Sequence, residues 1–318
     1  MMTEPCLPLE RGWMEPEPEP EKRPRRYGVP YKGSKNAIAR WVIEQLPAGQ
    51  RLVDAFAGGC AVTHAALLSR KWPAVLANDL NDTPSLFLRA ATGGFQDEKR
   101  WISREDFFAL KDSDPYIRQC WSFGNDGKTY LYGRELEPMK RAAHMAILGE
   151  TVQERYQAHR LFVRELLRVI QTRKMPPHTN TLEDVPNLER LISLHSLEGL
   201  QSLGCLQSLQ SLQGLTVTRG DYRDIQIQPG DIVYCDIPYR HSEANEGDIY
   251  SCGGFDFEAF YAWACALPVP VFVSEYSMPE DRFECVAERW RYGHLSSAQA
   301  GRYVTERIFR PRGGASNA

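Results

Sequence analysis

Residues 231–239 read DIVYCDIPY, an apolar run that ends in Asp236, Pro238 and Tyr239. Ile, Val and Tyr suit the pleated, buried surface of a strand, and proline stops the run. Working outward, residues 51–56 (RLVDAF), 74–79 (AVLAND), 215–218 (LTVT) and 269–276 (VPVFVSEY) repeat the short apolar pattern. Helical periodicity fills much of the space between them: 33–46, with Ile38, Trp41, Val42 and Leu46 on one face, then 60–70 and 258–267. Residues 289–295 and 303–310 read as a terminal pair of strands. Such alternation predicts an α/β fold, a doubly wound and mostly parallel sheet covered by helices on both faces. Ligands of these sheets lie outside the carboxyl ends of the strands, so the end of the 231–239 segment is expected to face a crevice.

The alternation is interrupted. About 135 residues separate the second strand from the third, far more than a crossover needs. The expected organisation is an α/β domain over 27–80 and 215–312, with a mainly helical insert over 81–214. Residues 154–172 predict an amphipathic helix that buries Leu161, Leu166, Leu167 and Ile170. Arg160, Arg164 and Arg168 follow one another at i, i+4 on its other side, as a solvated face or as phosphate contacts. Leucine recurs at every third position from 191 to 215, a period that fits neither a helix nor a strand. Gly199, Gly204 and Gly214 weaken a helix there, and the stretch reads as a linker without a catalytic role.

Residues 1–26 repeat Glu-Pro and then turn basic; they predict a disordered tail. The formal net charge of −3 hides an uneven distribution. Residues 1–21 carry −5, and residues 115–182 hold eleven Lys/Arg against six Asp/Glu. The second is a modest footprint for a polyanion. No apolar run approaches the ~18 residues of a membrane span, and the acidic start is unlike a signal peptide, so a cytoplasmic protein without membrane contact is expected. The eight cysteines are scattered without metal-ligand spacing, and no metal is expected.

Four places carry chemistry. An acid, a backbone carbonyl and an aromatic ring after 231–235 suit an exocyclic amine on a nucleobase. Such an amine is a poor nucleophile because its lone pair is delocalised into the ring. Accepting hydrogen bonds from both N–H groups, by Asp236 and the Ile237 carbonyl, returns density to nitrogen, and Tyr239 can stack on a base that has left the helix. An isolated Asp-x-Pro-Tyr also fits a plain strand-end turn. Residues 53–60 (VDAFAGGC) add a strand, an acid and a glycine turn that opens a helix, which lets backbone approach a ligand. The second strand ends in Asn78-Asp79, where an acid can accept ribose hydroxyls. Tyr31-Lys32-Gly33-Ser34-Lys35 precedes the first helix, with an aromatic ring and a cation for a ligand carboxylate.

In that order, these segments resemble the Dam-like class of DNA N6-adenine methyltransferases: aromatic-x-G-x-K, a D-x-F-x-G loop, N-D-x-N, an insert, and a D-P-P-Y tetrapeptide. The resemblance covers about 27–310 and is weakest in the insert. It implies a Rossmann-like methyltransferase sheet, S-adenosylmethionine as cofactor and double-stranded DNA as substrate. It implies catalytic roles for Asp236, Ile237, Pro238 and Tyr239. Tyr31, Lys35, Asp54, Phe56, Gly58, Asp79 and Asp236 would contact the cofactor. In the insert, Phe123, Asn125, Lys128 and Tyr130, with Arg160 and Arg164, are expected near DNA, and 81–214 is expected to recognise the target. The 274–276 segment looks like its counterpart in phage-type members.

Two departures stand out. Ile237 replaces the usual proline, although its backbone carbonyl is the working group. Cys60 replaces a small glycine and is expected to tighten cofactor packing. Cytosine N4, a protein amide or RNA remain alternative acceptors, since the same chemistry serves any conjugated amine, and a non-catalytic DNA-binding relative is the other alternative. The expected protein is a monomer; a partner restriction endonuclease and the recognition sequence are left open.

Overall fold

Strands that are apolar on both faces need cover on both sides, and the sheet of this protein has it. The computed structural model describes residues 27–172, 191–208, 213–239, 254–292 and 303–313. The expected tail at 1–26 lies outside them, as do parts of the expected insert and of its leucine-periodic stretch. β1 (Arg51–Asp54), β2 (Ala74–Asp79), β3 (Leu215–Arg219), β4 (Asp231–Asp236), β5 (Val271–Glu275), β6 (Phe283–Tyr292) and β7 (Tyr303–Pro311) form one sheet in the order β3-β2-β1-β4-β5-β7-β6. β3 through β5 are parallel, and β7 runs antiparallel to both β5 and β6. The chain winds outward from β1 through β2 to β3, then returns to β4 on the other side of β1. The carboxyl ends of β1 and β4 therefore flank the point where the order reverses, which is where such sheets bind ligands.

Alternate residues serve the two faces. Leu52, Val75, Ile232 and Tyr234 pack with α1 (Ala39–Gln45) and α2 (Ala61–Ser69). Val53, Leu76, Val233 and Cys235 pack on the opposite face with Phe260 and Ala264 of α9 (Phe257–Ala266). At the other end of the strands, Arg51 grips Asp231 at 2.6 and 3.0 Å and ties β1 to β4.

Between β2 and β3 lie α3 (Thr83–Ala91), α4 (Arg104–Leu110), α5 (Pro115–Cys120), α6 (Glu137–Leu148), α7 (Val152–Thr172) and α8 (His195–Gly204). Their core is continuous with the sheet: Phe87, Ile117, Trp121, Leu203 and Leu206 share one apolar cluster with Val29 and Ala77. Among the described residues, no helix is long and apolar enough to cross a membrane.

Several sequence expectations change. The helix expected over 33–46 is a 3-10 turn, Lys35–Ala37, and a separate α1, broken at Ile38 with φ −124° and ψ 0°. The strand expected at 289–295 starts at Phe283, with a bulge between Cys285 and Ala287. In α7, Leu161 and Leu167 are 39% and 50% exposed, while Leu166 and Val169 are buried with Phe162 and Ile170 beside them. That helix packs on α6 along a narrow seam, so leucines off the seam stay outside.

Most of the described leucine-periodic stretch is helical. α8 is followed by a 3-10 turn, Cys205–Ser208. A 3-10 turn repeats every three residues, which lets Leu203 and Leu206 both point into the core. Gly199, expected to weaken the helix, is where α8 meets Cys120 of α5. A Cβ built there would stand 3.4 Å from the Cys120 Cβ, ordinary contact. Gly199→Ala should therefore gain about 0.5–1 kcal/mol of stability from helix propensity, whereas Gly199→Leu should lower it by forcing the helices apart. Chemical denaturation of both variants measures the two signs.

Candidate active site

The turn after β1 is built by glycine and by backbone pairing. Gly58 has φ +47°, and a Cβ there would lie 2.9 Å from the Tyr31 ring; one on Gly59 would lie 2.5 Å from the Tyr31 Cβ. Tyr31 thus lies against the loop, as Val29 N–H donates to the Gly59 carbonyl at 2.8 Å. Cys60 occupies the left-handed region at φ +59° and ψ +31° and is fully buried. A glycine would take that conformation freely, whereas a side chain there costs about 1–2 kcal/mol.

Acids at the ends of two neighbouring strands, β1 and β2, hold this loop. Asp54 accepts from the Thr63 N–H at 3.1 Å and the Thr63 hydroxyl at 2.6 Å, both on Oδ2. Its buried Oδ1 has no hydrogen-bond partner among the described residues. Asp79 accepts from the Gly58 N–H at 2.9 Å and the Asn81 N–H at 2.8 Å, which stitches β2 to the loop. Asn78 donates to the Ala55 carbonyl and accepts from Thr218, spanning β1 to β3. Phe56 is half-buried against Tyr222, Phe260 and Phe255, with ring centroids 5.1, 5.8 and 5.9 Å away.

At the end of β4, Lys35 Nζ lies 2.8 Å from Asp236 Oδ1 and 4.3 Å from the centroid of the Tyr239 ring. Tyr239 meets Tyr276 edge-on at 4.5 Å and donates its hydroxyl to Glu306 at 3.1 Å. Ile237 is 2% exposed in the core and Pro238 half-buried. Lys35, expected beside a ligand carboxylate, thus reaches the tetrapeptide itself, because the turn that carries it is separate from α1.

The charges are coupled. Burial raises Asp236 above the ordinary carboxylate value, Lys35 opposes the rise, and Glu306 and Asp79 add to it. Burial also raises Asp79, against the hydrogen bonds from Asn81 and Gly58. Asp54 is pushed up to about 7, chiefly by burial, with Thr63 opposing and Asp236 and Asp79 reinforcing. For Lys35, burial lowers and the nearby acids raise; the acids win.

The insert residues fall into three groups. Phe123 is 66% exposed at the tip of a turn, Phe123–Asn125, in which Gly124 and Asn125 have φ of +62° and +56°. This turn lines a cleft of about 470 Å³ together with Tyr31, Ser34, His195 and Glu198. Asn125 donates to the Gln119 carbonyl at 2.8 Å, and Lys128 is exposed. Tyr130, expected near DNA, is instead a packing residue: it is 3% exposed and donates its hydroxyl to the Ile102 carbonyl at 2.8 Å. Arg160 and Arg164 are exposed on α7. Glu165 pairs with Arg168 at 2.7 Å and reaches Arg164 at 3.5 Å, so part of the arginine stripe is neutralised.

Sequence reasoning missed Glu306, Thr63 and Arg118, whose charge lowers Asp79 from the insert side. Glu306 left one trace: it alternates with Ile308, an acid at an inward position of a strand. Among the described residues, no cluster of His, Cys, Asp or Glu could hold a metal ion.

Because Asp54 is raised, the folded protein keeps a proton that the unfolded chain loses from about pH 4 upward. Its contribution to stability should fall as pH rises through that window to about 7. The loss is about 4 kcal/mol at most, at 1.36 kcal/mol per unit. Asp54→Asn keeps an acceptor for Thr63 without the charge, so it should flatten that part of the stability–pH curve. Thermal unfolding of both proteins between pH 4 and 8 checks this.

Residues 31–143 match the model of the D12 class N6 adenine-specific DNA methyltransferases, a span that includes Tyr31, Lys35, the Asp54 loop and Asp79 and ends before β4. No curated protein matches the chain. Among solved structures, the chain is similar to the rRNA methyltransferase aviRa from Streptomyces viridochromogenes at 15% identity and a TM-score of 0.34, over 86% of this chain and 82% of that one. Residues 31–143, about a third of the chain, are thus similar to the D12 class of N6 adenine-specific DNA methyltransferases, and this match supports methylation of adenine in DNA.

Proposed function

We propose that the protein methylates one adenine within a specific sequence of duplex DNA, after that base has left the helix, and that Asp236, Ile237, Pro238 and Tyr239 form its catalytic segment. The observation that carries this reading is Lys35 on Asp236 at 2.8 Å, at the carboxyl end of β4, beside the glycine loop of β1.

The chain's own residues fit the cofactor. Tyr31 and the Gly58-Gly59 backbone make a cradle that a side chain would fill. Asp54, Asp79 and Asp236 are electrostatically coupled, an excess of negative charge that suits a cationic ligand. Asp54 Oδ1 is buried without a partner, and Asp79 retains lone pairs for ribose hydroxyls after its two backbone bonds. When bound, S-adenosylmethionine supplies an electrophilic methyl group on a sulfonium. Tyr31, Lys35, Asp54, Phe56, Gly58 and Asp79 form its surroundings in this reading.

Asp236 accepts one N–H of the target amine and the Ile237 carbonyl the other, which aims the nitrogen lone pair and takes up positive charge as the bond forms. Asp236 works only while ionised, and Lys35 keeps it so despite burial. Tyr239 offers its ring to the base. The insert at 81–214 reads the sequence, with Phe123, Asn125 and Lys128 near the base or backbone and Arg160 and Arg164 on phosphates. Tyr130 supports that surface from within.

Labelled S-adenosylmethionine incubated with duplex DNA, followed by digestion to nucleosides, should place the label in N6-methyladenine. Asp236→Ala should lose this label while still binding the cofactor. Label in N4-methylcytosine, or turnover by Asp236→Ala near that of the wild type, would refute the reading.

Lys35 gives a second test. Removing it deepens the burial penalty on Asp236, so its proton is held to higher pH. In Lys35→Ala the acidic limb of the kcat–pH profile should move upward by about one unit or more, the shift expected when a close opposite charge is lost. An unmoved limb would exclude the role given to Lys35.

A further inference from the structure

β7 runs antiparallel to β5, so its first residues come to the edge of the sheet where β4 and β5 end. Glu306 lies at that edge. It shares a strand face with Ile308, which is packed with residues of α1 and α2, and it is 2% exposed. An acid at such a position is tolerated only if it is hydrogen-bonded or paired. Its Oε2 accepts the Tyr239 hydroxyl at 3.1 Å, and its charge attracts Lys35. The next residue reaches the neighbouring ring: Arg307 Nη1 donates to the Tyr276 carbonyl at 2.7 Å, and Tyr276 meets Tyr239 edge-on at 4.5 Å. Two consecutive residues of one strand thus hold the two tyrosines that close the site beyond Asp236.

The geometry points to Glu306 as a positioning residue for methyl transfer, one that holds the Tyr239 hydroxyl and so fixes the plane of the ring offered to the base. This rests on the reading of Tyr239 as the stacking ring. A phenol ring turns about two side-chain bonds, and a buried acceptor at its far end removes that freedom before the base arrives. Burial and the surrounding acids keep the Tyr239 hydroxyl protonated, so it remains the donor in this bond. The bond from the Tyr239 hydroxyl places Glu306 behind the ring offered to the base, so the loss of Glu306 should appear in turnover and base placement rather than in cofactor affinity.

The test uses the full chain, its methylated motif first read by sequencing of modified DNA, and a duplex carrying 2-aminopurine in place of the target adenine. The proteins are the wild type, Glu306→Gln, Glu306→Ala, Tyr239→Phe and the double variant Tyr239→Phe/Glu306→Ala. Glu306→Gln keeps an acceptor and should stay within about threefold of wild-type kcat. Glu306→Ala should lose about tenfold in kcat, the order expected for one hydrogen bond to the reacting geometry. It should also change 2-aminopurine fluorescence in the bound complex while leaving the cofactor KM within about twofold. At a pH above the acidic limb, where Asp236 is ionised in every variant, adding Glu306→Ala to Tyr239→Phe should cost less than about twofold, because the bond is already gone. Losses that multiply independently, or a Glu306→Ala variant with wild-type kcat, would overturn the proposal alone. So would equal losses in the Gln and Ala variants that track a fall in Tm. A wild-type protein that labels no DNA would overturn it together with the reading on which it rests.

Discussion

One ion pair organises the carboxyl edge of the sheet: Lys35 against Asp236, 2.8 Å apart, with little of the lysine side chain exposed. A carboxylate buried at the end of β4 would take up a proton and stop serving as an acceptor. The ammonium beside it holds back that rise. Removing one member of such a buried pair typically costs about 3–5 kcal/mol, since the other is left uncompensated. Much of the surrounding architecture serves the pair. The break at Ile38 frees the turn that carries Lys35 from α1, β4 presents Asp236, and β7 brings Glu306 to the far side of Tyr239.

The wider site contains more acid than base. Glu306, Asp79 and Asp54 add negative charge around Asp236, against which Lys35 stands as the close cation. Such an imbalance raises carboxylates in an empty site and favours a positively charged ligand over a neutral one of the same shape. The loop pays its own conformational penalty at Cys60, whose left-handed backbone is held by burial within the shared core.

The insert is not a bead on a string. α3, α5 and α8 bury Phe87, Ile117 and Leu203 in the same cluster as Ala77 of β2, and Arg118 lowers Asp79 from the insert side. The helices between β2 and β3 are thereby joined to the strand that carries Asp79 through packed side chains. Gly199 shows how close that packing is, because α8 approaches Cys120 without room for a long side chain. Within the leucine-periodic stretch, the spacing of Leu203 and Leu206 makes sense where the helix passes into a 3-10 turn with a period of three.

By itself the sequence determined the parallel strands and the acids at their carboxyl ends. Apolar runs ending in Asp54, Asp79 and Asp236 are local features, and a doubly wound sheet turns strand ends into one crevice whatever the loops do. The long, mainly helical stretch between β2 and β3 was legible from spacing alone. Tertiary structure decided the rest, because it depends on contacts between residues far apart in the chain. Whether Leu166 or Leu167 faced the core depended on where α6 lay, and Tyr130 turned inward because Ile102 offered its carbonyl. Lys35 found Asp236, and Tyr239 found Glu306, across 201 and 67 positions of chain. No periodicity encodes such meetings; only the antiparallel return of β7 to the edge of a parallel sheet brings the last of them about.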